Sequence, residues 1–433
     1  MGLTASLPFL TEADPDRAQE GSIDPLGLAT LADRLADQLA PDVTARMSRI
    51  RFVTAIAVGT TISEELGDEV ASDGRTPAYL AYEWLVVESL ARRRPPAQTQ
   101  SVPGIQKARR VVGRTPSGHL DAGSYLQVPK VFGFHGVYKR LARGLGVIDQ
   151  DLLPLGAGDE LLRTWEREQK WRGFADRTPG SAGGKFARRL LREVQGALVG
   201  ARVETGPGSH LWSHLADSLV PGEIGRRERS LLWSRLTDER RPIRSELLLA
   251  LRDLPASSET GEAGALRAVA PRASAELRAR IDAIEAFELV AHLLFDTLQA
   301  MRVHSTRKGA RAVRAQELAD DDAVLRASKE LPQAVRRAAE LLLPLGEQIA
   351  FEQGLGHFAE PLAPTALVED VLAHHDAVQD AKGKRGWLEQ ANDGFYVRGP
   401  YKTIEDAPGD DTYIHPYRVD ALSSFVYDLG QNR

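Results

Sequence analysis

Cysteine is absent from this 433-residue chain. That excludes disulfides, a thiolate metal site and a cysteine nucleophile, and it suits a reducing compartment. Long apolar runs are missing as well. The longest, such as residues 53–58, fall far short of the ~20 residues a membrane span needs, so no membrane partner is expected. Residues 1–10 carry no Lys or Arg ahead of their short apolar run and do not read as a signal peptide. A cytoplasmic location is the expectation. Arg outnumbers Lys, and Ala, Leu and Gly are abundant, which is the composition of a GC-rich bacterial genome.

What the chain does have is ample core material, with 42% hydrophobic and 27% charged residues, ordinary for a globular protein. Its length exceeds one ordinary core and points to about two or three domains. The net charge of −5 hides an asymmetry. Residues 89–148 hold 11 Lys/Arg and one acid, Asp121, so this block carries about +10 while the rest carries about −15. Such a concentration reads as a polyanion-binding surface. The alternative is a basic module docked on the acidic remainder of its own chain.

Periodicity along the chain is helical. Residues 1–22 read as a loose tail. Asp24 and Pro25 fit a cap followed by Pro in the first turn, and Leu28, Leu31, Leu35 and Leu39 then give one amphipathic helix ending near Pro41. A second helix is expected over 46–58. A third is marked by Thr76-Pro77 and by Tyr79, Leu80, Trp84, Val87 and Leu90, ending before Pro95-Pro96. Further helices are expected near 185–199, 223–237, 242–253, 274–303, 329–343 and 364–380. Residues 254–272 read as a mobile loop, and from 381 the chain reads as turns with short extended pieces. The expected organisation is a mainly α, multidomain protein. Its parts are an N-terminal helical region (1–95), a basic module (96–175), a helical domain (176–380) and an irregular, aromatic-rich C-terminal segment (381–433).

Within the basic module, Val137, Leu141 and Leu145 lie on one helical face that would pack inward. His135, Lys139, Arg140 and Arg143 lie largely off that stripe. Val147-Ile148 and the pieces over 152–155 flank Asp149-Gln150-Asp151 as a short hairpin, and Leu161, Leu162 and Trp165 mark a following helix. This order, over roughly 105–170, resembles winged-helix DNA-binding domains. The resemblance implies a recognition helix in the major groove and a wing on the flanking backbone. The turn departs from that pattern, since Asp149 and Asp151 would face phosphate. Lys107, Arg109 and Arg110 extend the basic set. The overall plan resembles helical proteins encoded in bacterial antiphage loci.

A second cationic face follows the Gly-rich residues 178–184: Lys185, Arg188, Arg189 and Arg192 share one side of a helix, whose exposed N-terminus suits an anion. It is not a P-loop, because Pro179 stands where the first Gly belongs and Phe186 where Ser or Thr belongs. A third cluster is Arg302, Arg307, Lys308, Arg311 and Arg314.

Candidate metal groups are weaker. His210, His214 and Asp217 lack the Glu that a zinc-protease motif places beside the first His. Glu285, Glu288, His292 and Asp296 form one polar stripe, but Glu288 and His292 have the wrong spacing for a di-metal bundle. Asp370, His374, His375 and Asp376 are a third group. Glu168 and Lys170 resemble one fragment of a nuclease motif, without a strand to present it. No nucleophile elbow occurs. In the last segment Trp387, Phe395, Tyr396, Tyr401, Tyr413, Tyr417, Phe425 and Tyr427 alternate with cations. That pattern stacks bases or, the favoured reading, buries area on the helical body.

The function expected from the sequence is non-catalytic binding of DNA (duplex favoured, RNA possible) as a recognition or scaffold subunit with other protein subunits and no cofactor. The contact set is Lys107, Arg109, Arg110, His135, Lys139, Arg140, Arg143, Lys185, Arg188, Arg189 and Arg192. A helical protein–protein adaptor and a divergent metal-dependent nuclease are the alternatives.

Overall fold

The computed structural model describes residues 24–431 except 116, 255–260, 310, 392–393, 403–408 and 410. The tail expected over residues 1–22, part of the loop expected over 254–272, and the acids Asp406 and Asp410 lie outside the described residues. The chain is mainly helical. In order the helices are α1 (Ala29–Leu39), α2 (Arg51–Ser63), α3 (Ala78–Arg93), α4 (Ile105–Arg114), α5 (Pro129–Phe132), α6 (Phe134–Gly144), α7 (Gly156–Glu168), α8 (Ala182–Gly200), α9 (Leu211–Leu219), α10 (Arg226–Leu236), α11 (Pro242–Arg252), α12 (Gly261–Val269), α13 (Ala275–Lys308), α14 (Asp322–Leu342), α15 (Gln348–Leu355) and α16 (Pro364–Ala381). The antiparallel hairpin β1 (Leu388–Ala391) and β2 (Gly394–Val397) follows, then α17 (Val419–Asp428). Among the described residues no helix is long and apolar enough to cross a membrane.

The chain divides into two compact units. One joins Asp37–Ala273 to Tyr417–Arg433, and the other joins the described part of Met1–Ala36 to Ser274–Pro416. These cuts do not coincide with the linkers read from composition near 95, 175 and 380.

In the first unit α2 and α3 are buried nearly all round, the mark of central helices. They approach closely because Gly59 has no side chain: a Cβ there would overlap the Tyr82 ring. Against this pair pack α4, α6, α7, α8 and α9. Helix α6 docks through Val137, Leu141 and Leu145, buried as the stripe predicts, and also through Tyr138. A short hairpin follows it, with an Ile148–Pro154 bridge and hydrogen bonds from Asp149 N to Leu153 O and from Leu155 N to Val147 O (both 3.0 Å).

In the second unit the long helix α13 lies along α14, with α16 and β2 against it. The aromatic segment is stitched down by polar contacts from these helices. Tyr413 donates to Glu285 (2.6 Å), and Ile414 N and His415 Nδ1 meet Glu288 (2.6 and 2.7 Å). Trp387 stacks on Tyr401 and carries the Arg302 guanidinium 4.8 Å from its ring centroid.

Two expectations are corrected. Residues 261–269, read as loop, form α12, whose Ala263, Leu266 and Val269 recur at helical spacing and are buried. Small residues masked that period. Residues 419–428, read as turns, form α17, with Val419, Leu422, Phe425 and Val426 buried on one side. The aromatic and Gly-rich residues ahead of it obscured an ordinary amphipathic helix.

Candidate functional site

The site begins with a carboxylate in an unfavourable place. Glu83 sits mid-way along α3, among apolar and aromatic neighbours, and is fully buried. A buried charge needs hydrogen bonds on both oxygens. Oε1 accepts from the Tyr125 hydroxyl at 2.8 Å, and Oε2 accepts from the His135 backbone N–H at 2.9 Å. His135 Nδ1 lies 3.1 Å from the same Oε2.

Local sequence explains the arrangement. The single turn α5 ends at Gly133, and α6 starts one residue later, so its first N–H groups have no partner within the helix. Glu83 supplies the missing acceptor from a neighbouring helix and puts negative charge at the positive end of α6. Gly133 is required there, because a Cβ would collide with Glu83 Oε1. Burial, and then the charge of Glu83, push the Tyr79, Tyr82 and Tyr125 hydroxyls upward, so all three stay neutral donors.

The His135 ring packs on Phe134 and Tyr79, with centroids 4.6 and 5.1 Å away. It is only 3% exposed. Its Nε2 is buried without a hydrogen-bond partner among the described residues. The ring borders two neighbouring cavities. One, of about 220 Å³, is lined also by Tyr79, Lys130, Lys139, Arg143 and Gln150. The other, of about 380 Å³, is lined by Ile56, Val70, Pro77 and Leu153 among others. Tyr79, His135, Asp151 and Leu152 belong to both.

The structure thus gathers three of the residues picked from the sequence, His135, Lys139 and Arg143, around one cavity. His135 is not on the outer face of α6 as expected, since Glu83 draws it inward. Lys130 and Glu83 were not singled out, and Tyr79 was named only as a marker of the third helix. Arg140 faces elsewhere, 3.0 Å from Asp37. Arg143 is exposed but spent on the hairpin, donating to the carbonyls of Asp149 (3.1 Å) and Gln150.

On α4, Lys107 donates to Tyr125 O (3.1 Å) and Arg109 to Arg94 O and Thr99 Oγ1 (both 2.7 Å), so both hold the fold together. Arg110 and its neighbour Arg114 are exposed and have no acidic partner among the described residues. On α8, Arg188 donates to Arg177 O (2.7 Å) and Arg189 pairs with Glu193 (2.6 Å), while Lys185 and Arg192 stay open. The glycines in the first turn of this helix have a packing role. Gly183 and Gly184 press against the carbonyls of Trp171 and Thr178, and Ser181 Oγ caps Gly184 N. In the third cluster Arg302 is buried and donates to Tyr401 O (2.8 Å), and Lys308 pairs with Glu317 (2.5 Å). That leaves Arg307 and Arg311 exposed.

The histidine–carboxylate groups mostly have structural employment. His214 packs on Trp171 and Phe186, and Asp217 pairs with Arg94. His292 Nε2 meets Thr412 O (2.8 Å). His374 and His375 hold Leu26 O and Pro25 O (2.9 and 2.8 Å), and His375 Nε2 accepts from Trp387 N (2.8 Å). Glu168 caps α10 by accepting from Arg227 N and Glu228 N (2.7 and 3.1 Å). Among the described residues no three His, Asp or Glu are grouped to hold a metal. Comparison with known protein families, curated proteins and solved structures finds no match for this chain.

Proposed function

We propose that this protein binds nucleic acid non-catalytically, through its phosphate backbone, by way of the basic segment 89–148. One observation carries the reading. In a chain of net charge −5, this segment pairs 11 cations with a single acid, and Arg110, Arg114, Lys130 and Lys139 have no acidic partner among the described residues. Cations left open on an acidic protein attract a polyanion and hold it by counterion release. Arg140 and Arg143 remain exposed on α6, and the surface ion pair of Arg140 with Asp37 holds that arginine by only about 0–1 kcal/mol. They join the contact set when phosphate offers a better partner.

The test is a salt titration of binding to duplex DNA, single-stranded DNA and RNA. Log affinity should fall with log salt by about 0.9 per phosphate contact. The double variant Arg110→Gln, Arg114→Gln should lower that slope by about 1.8. No salt-dependent binding to any of the three, or an unchanged slope in the variant, defeats the reading.

A protein-adaptor reading has one observation of its own. Val128, Val131 and Phe132 stand 46%, 48% and 42% exposed around α5, with Arg46 lying 4.4 Å from the Phe132 ring centroid. Apolar groups clustered in one exposed turn mark an interaction surface. Phe132→Ser leaves the salt slope intact if that surface serves a protein partner, and changes it if the turn touches nucleic acid.

A further inference from the structure

We propose that the two cavities bordered by His135 form one binding site for a small phosphate monoester, with the phosphoryl group beside His135, Lys130 and Lys139 and the apolar body of the ligand in the larger chamber. This goes beyond the nucleic-acid reading and does not depend on it, since cavities of about 220 and 380 Å³ hold a mononucleotide-sized molecule and not a duplex.

The argument starts from the tautomer. Glu83 takes the Tyr125 O–H and the His135 backbone N–H, so it is an acceptor at both oxygens, and the ring nitrogen facing it, Nδ1, must carry hydrogen. Nε2 is then the reactive end of the imidazole. Buried polar atoms are nearly always paired, and the exceptions ask for a missing partner. Nε2 is 97% sequestered with its residue, is unpartnered among the described residues, and belongs to a ring that walls the smaller cavity.

Across that cavity stand Lys130 and Lys139, both without an acidic partner among the described residues. Lys139 lies one turn after His135 on α6, so both project from the same face. The Tyr79 hydroxyl, kept protonated by burial and by Glu83, adds a donor. Asp151 on the rim is the one acid in this lining and offsets part of the charge. Three convergent donors, Lys130, Lys139 and Tyr79, suit the three terminal oxygens of a phosphoryl group better than the two of a carboxylate. One proton bridges His135 Nε2 and the phosphate, whether it arrives on the imidazole or on the ligand's monoanion. Ile56, Val70, Pro77 and Leu153 give the second chamber an apolar wall for the rest of the molecule, while Glu64, Asp68 and Asp151 in its lining keep the phosphoryl group on the lysine side.

The experiment is nitrogen-15 NMR of the histidine rings of the full chain, titrated with inorganic phosphate, adenosine monophosphate and adenosine. Phosphate should move the His135 Nε2 signal with saturation near about 1–10 mM, and adenosine monophosphate should do so roughly tenfold lower. The double variant Lys130→Gln, Lys139→Gln should raise both midpoints roughly tenfold or more, leaving the His119 signals unchanged. A His135 signal that phosphate leaves unmoved, or moves equally in the double variant, overturns the site. Adenosine monophosphate binding no tighter than phosphate overturns the two-chamber ligand. The Arg110→Gln, Arg114→Gln chain should take phosphate as the native chain does. Failure of nucleic-acid binding and failure of this site therefore show up separately.

Discussion

Helix α3 carries two buried carboxylates five residues apart, and each faces a histidine through Nδ1. Around Glu88 everything is closed. Arg92 follows one turn later at 2.8 Å, His119 Nδ1 and Leu120 N each lie at 2.8 Å, and Arg92 continues to the carbonyl of Gly118. Trp212 lids the group, stacked on His119 and 5.1 Å beneath the Arg92 guanidinium. Around Glu83, among the described residues, there is neither an arginine partner nor a tryptophan lid. Tyr125 and the N-terminus of α6 do the neutralising, and the far side of the imidazole opens on a cavity. The same pair of groups is a rivet in one place and a poised ligand in the other. What separates them is the ring face, covered by Trp212 at His119 and bordering a cavity at His135.

The largest effect that bears on this contrast belongs to the closed pair. Glu88→Gln leaves Arg92 and His119 with a neutral partner inside the fold, and removing one member of a buried ion pair costs about 3–5 kcal/mol. Urea unfolding should register that loss while the phosphate response of His135 survives. A variant as stable as the native chain would show that the Glu88 group is not the rivet described.

Glu83→Gln comes next. Glutamine presents at best one carbonyl to three donors, and an unsatisfied buried donor costs about 1–3 kcal/mol. The sharper readout is the ring. Without a carboxylate to fix Nδ1–H, the imidazole proton shifts toward Nε2, visible in nitrogen-15 spectra, and phosphate binding weakens. Retention of both the tautomer and the midpoint would erase the distinction between the two pairs. Gly133→Ala tests the same geometry from the backbone. Its Cβ collides with Glu83 Oε1 and the Pro129 carbonyl, and overpacking of this kind costs about 1–3 kcal/mol. It should displace the Glu83 carboxylate and leave the Glu88 group in place.

The sequence reveals these two pairs unequally. Glu88 has Arg92 at i+4, a local signal that a carboxylate is employed in a structure. Glu83 has Tyr79 and Val87 at the corresponding positions, and its partners Tyr125 and His135 are 42 and 52 residues away. A Glu with no counter-charge one turn away, in the apolar stretch of a helix, is the clue that was available. The main helices were legible because their apolar stripes recur at the helical period. So was the inward face of α6, through Val137, Leu141 and Leu145. The fate of the cations was not legible. Arg143 and Arg109 end on backbone carbonyls, which carry no sequence signature, and Arg140 ends on Asp37, over a hundred residues upstream. A net count of charge therefore overstated how many of these cations are open.

The smallest expected effect extends the contrast between committed and open groups to those cations. Burial pushes the Asp37 carboxyl up, but hydrogen bonds from Arg140 and Arg418, with their charges, outweigh it and hold it below its ordinary value of 3.8. A carboxyl lowered in the folded state stabilises the fold above its unfolded value, and loses that contribution as pH falls through the folded one. Asp37 is partly exposed, so the whole effect of Arg140→Gln should stay within about 0–1 kcal/mol at neutral pH. The difference between native and variant stability should be present from neutrality down to about pH 4 and close below it, when Asp37 is protonated. If Arg140 instead spends its time on solvent or nucleic acid, the two stability curves superimpose at every pH, and the substitution lowers the salt slope of binding as Arg110→Gln does. The two outcomes assign Arg140 either to the fold or to the open cationic set.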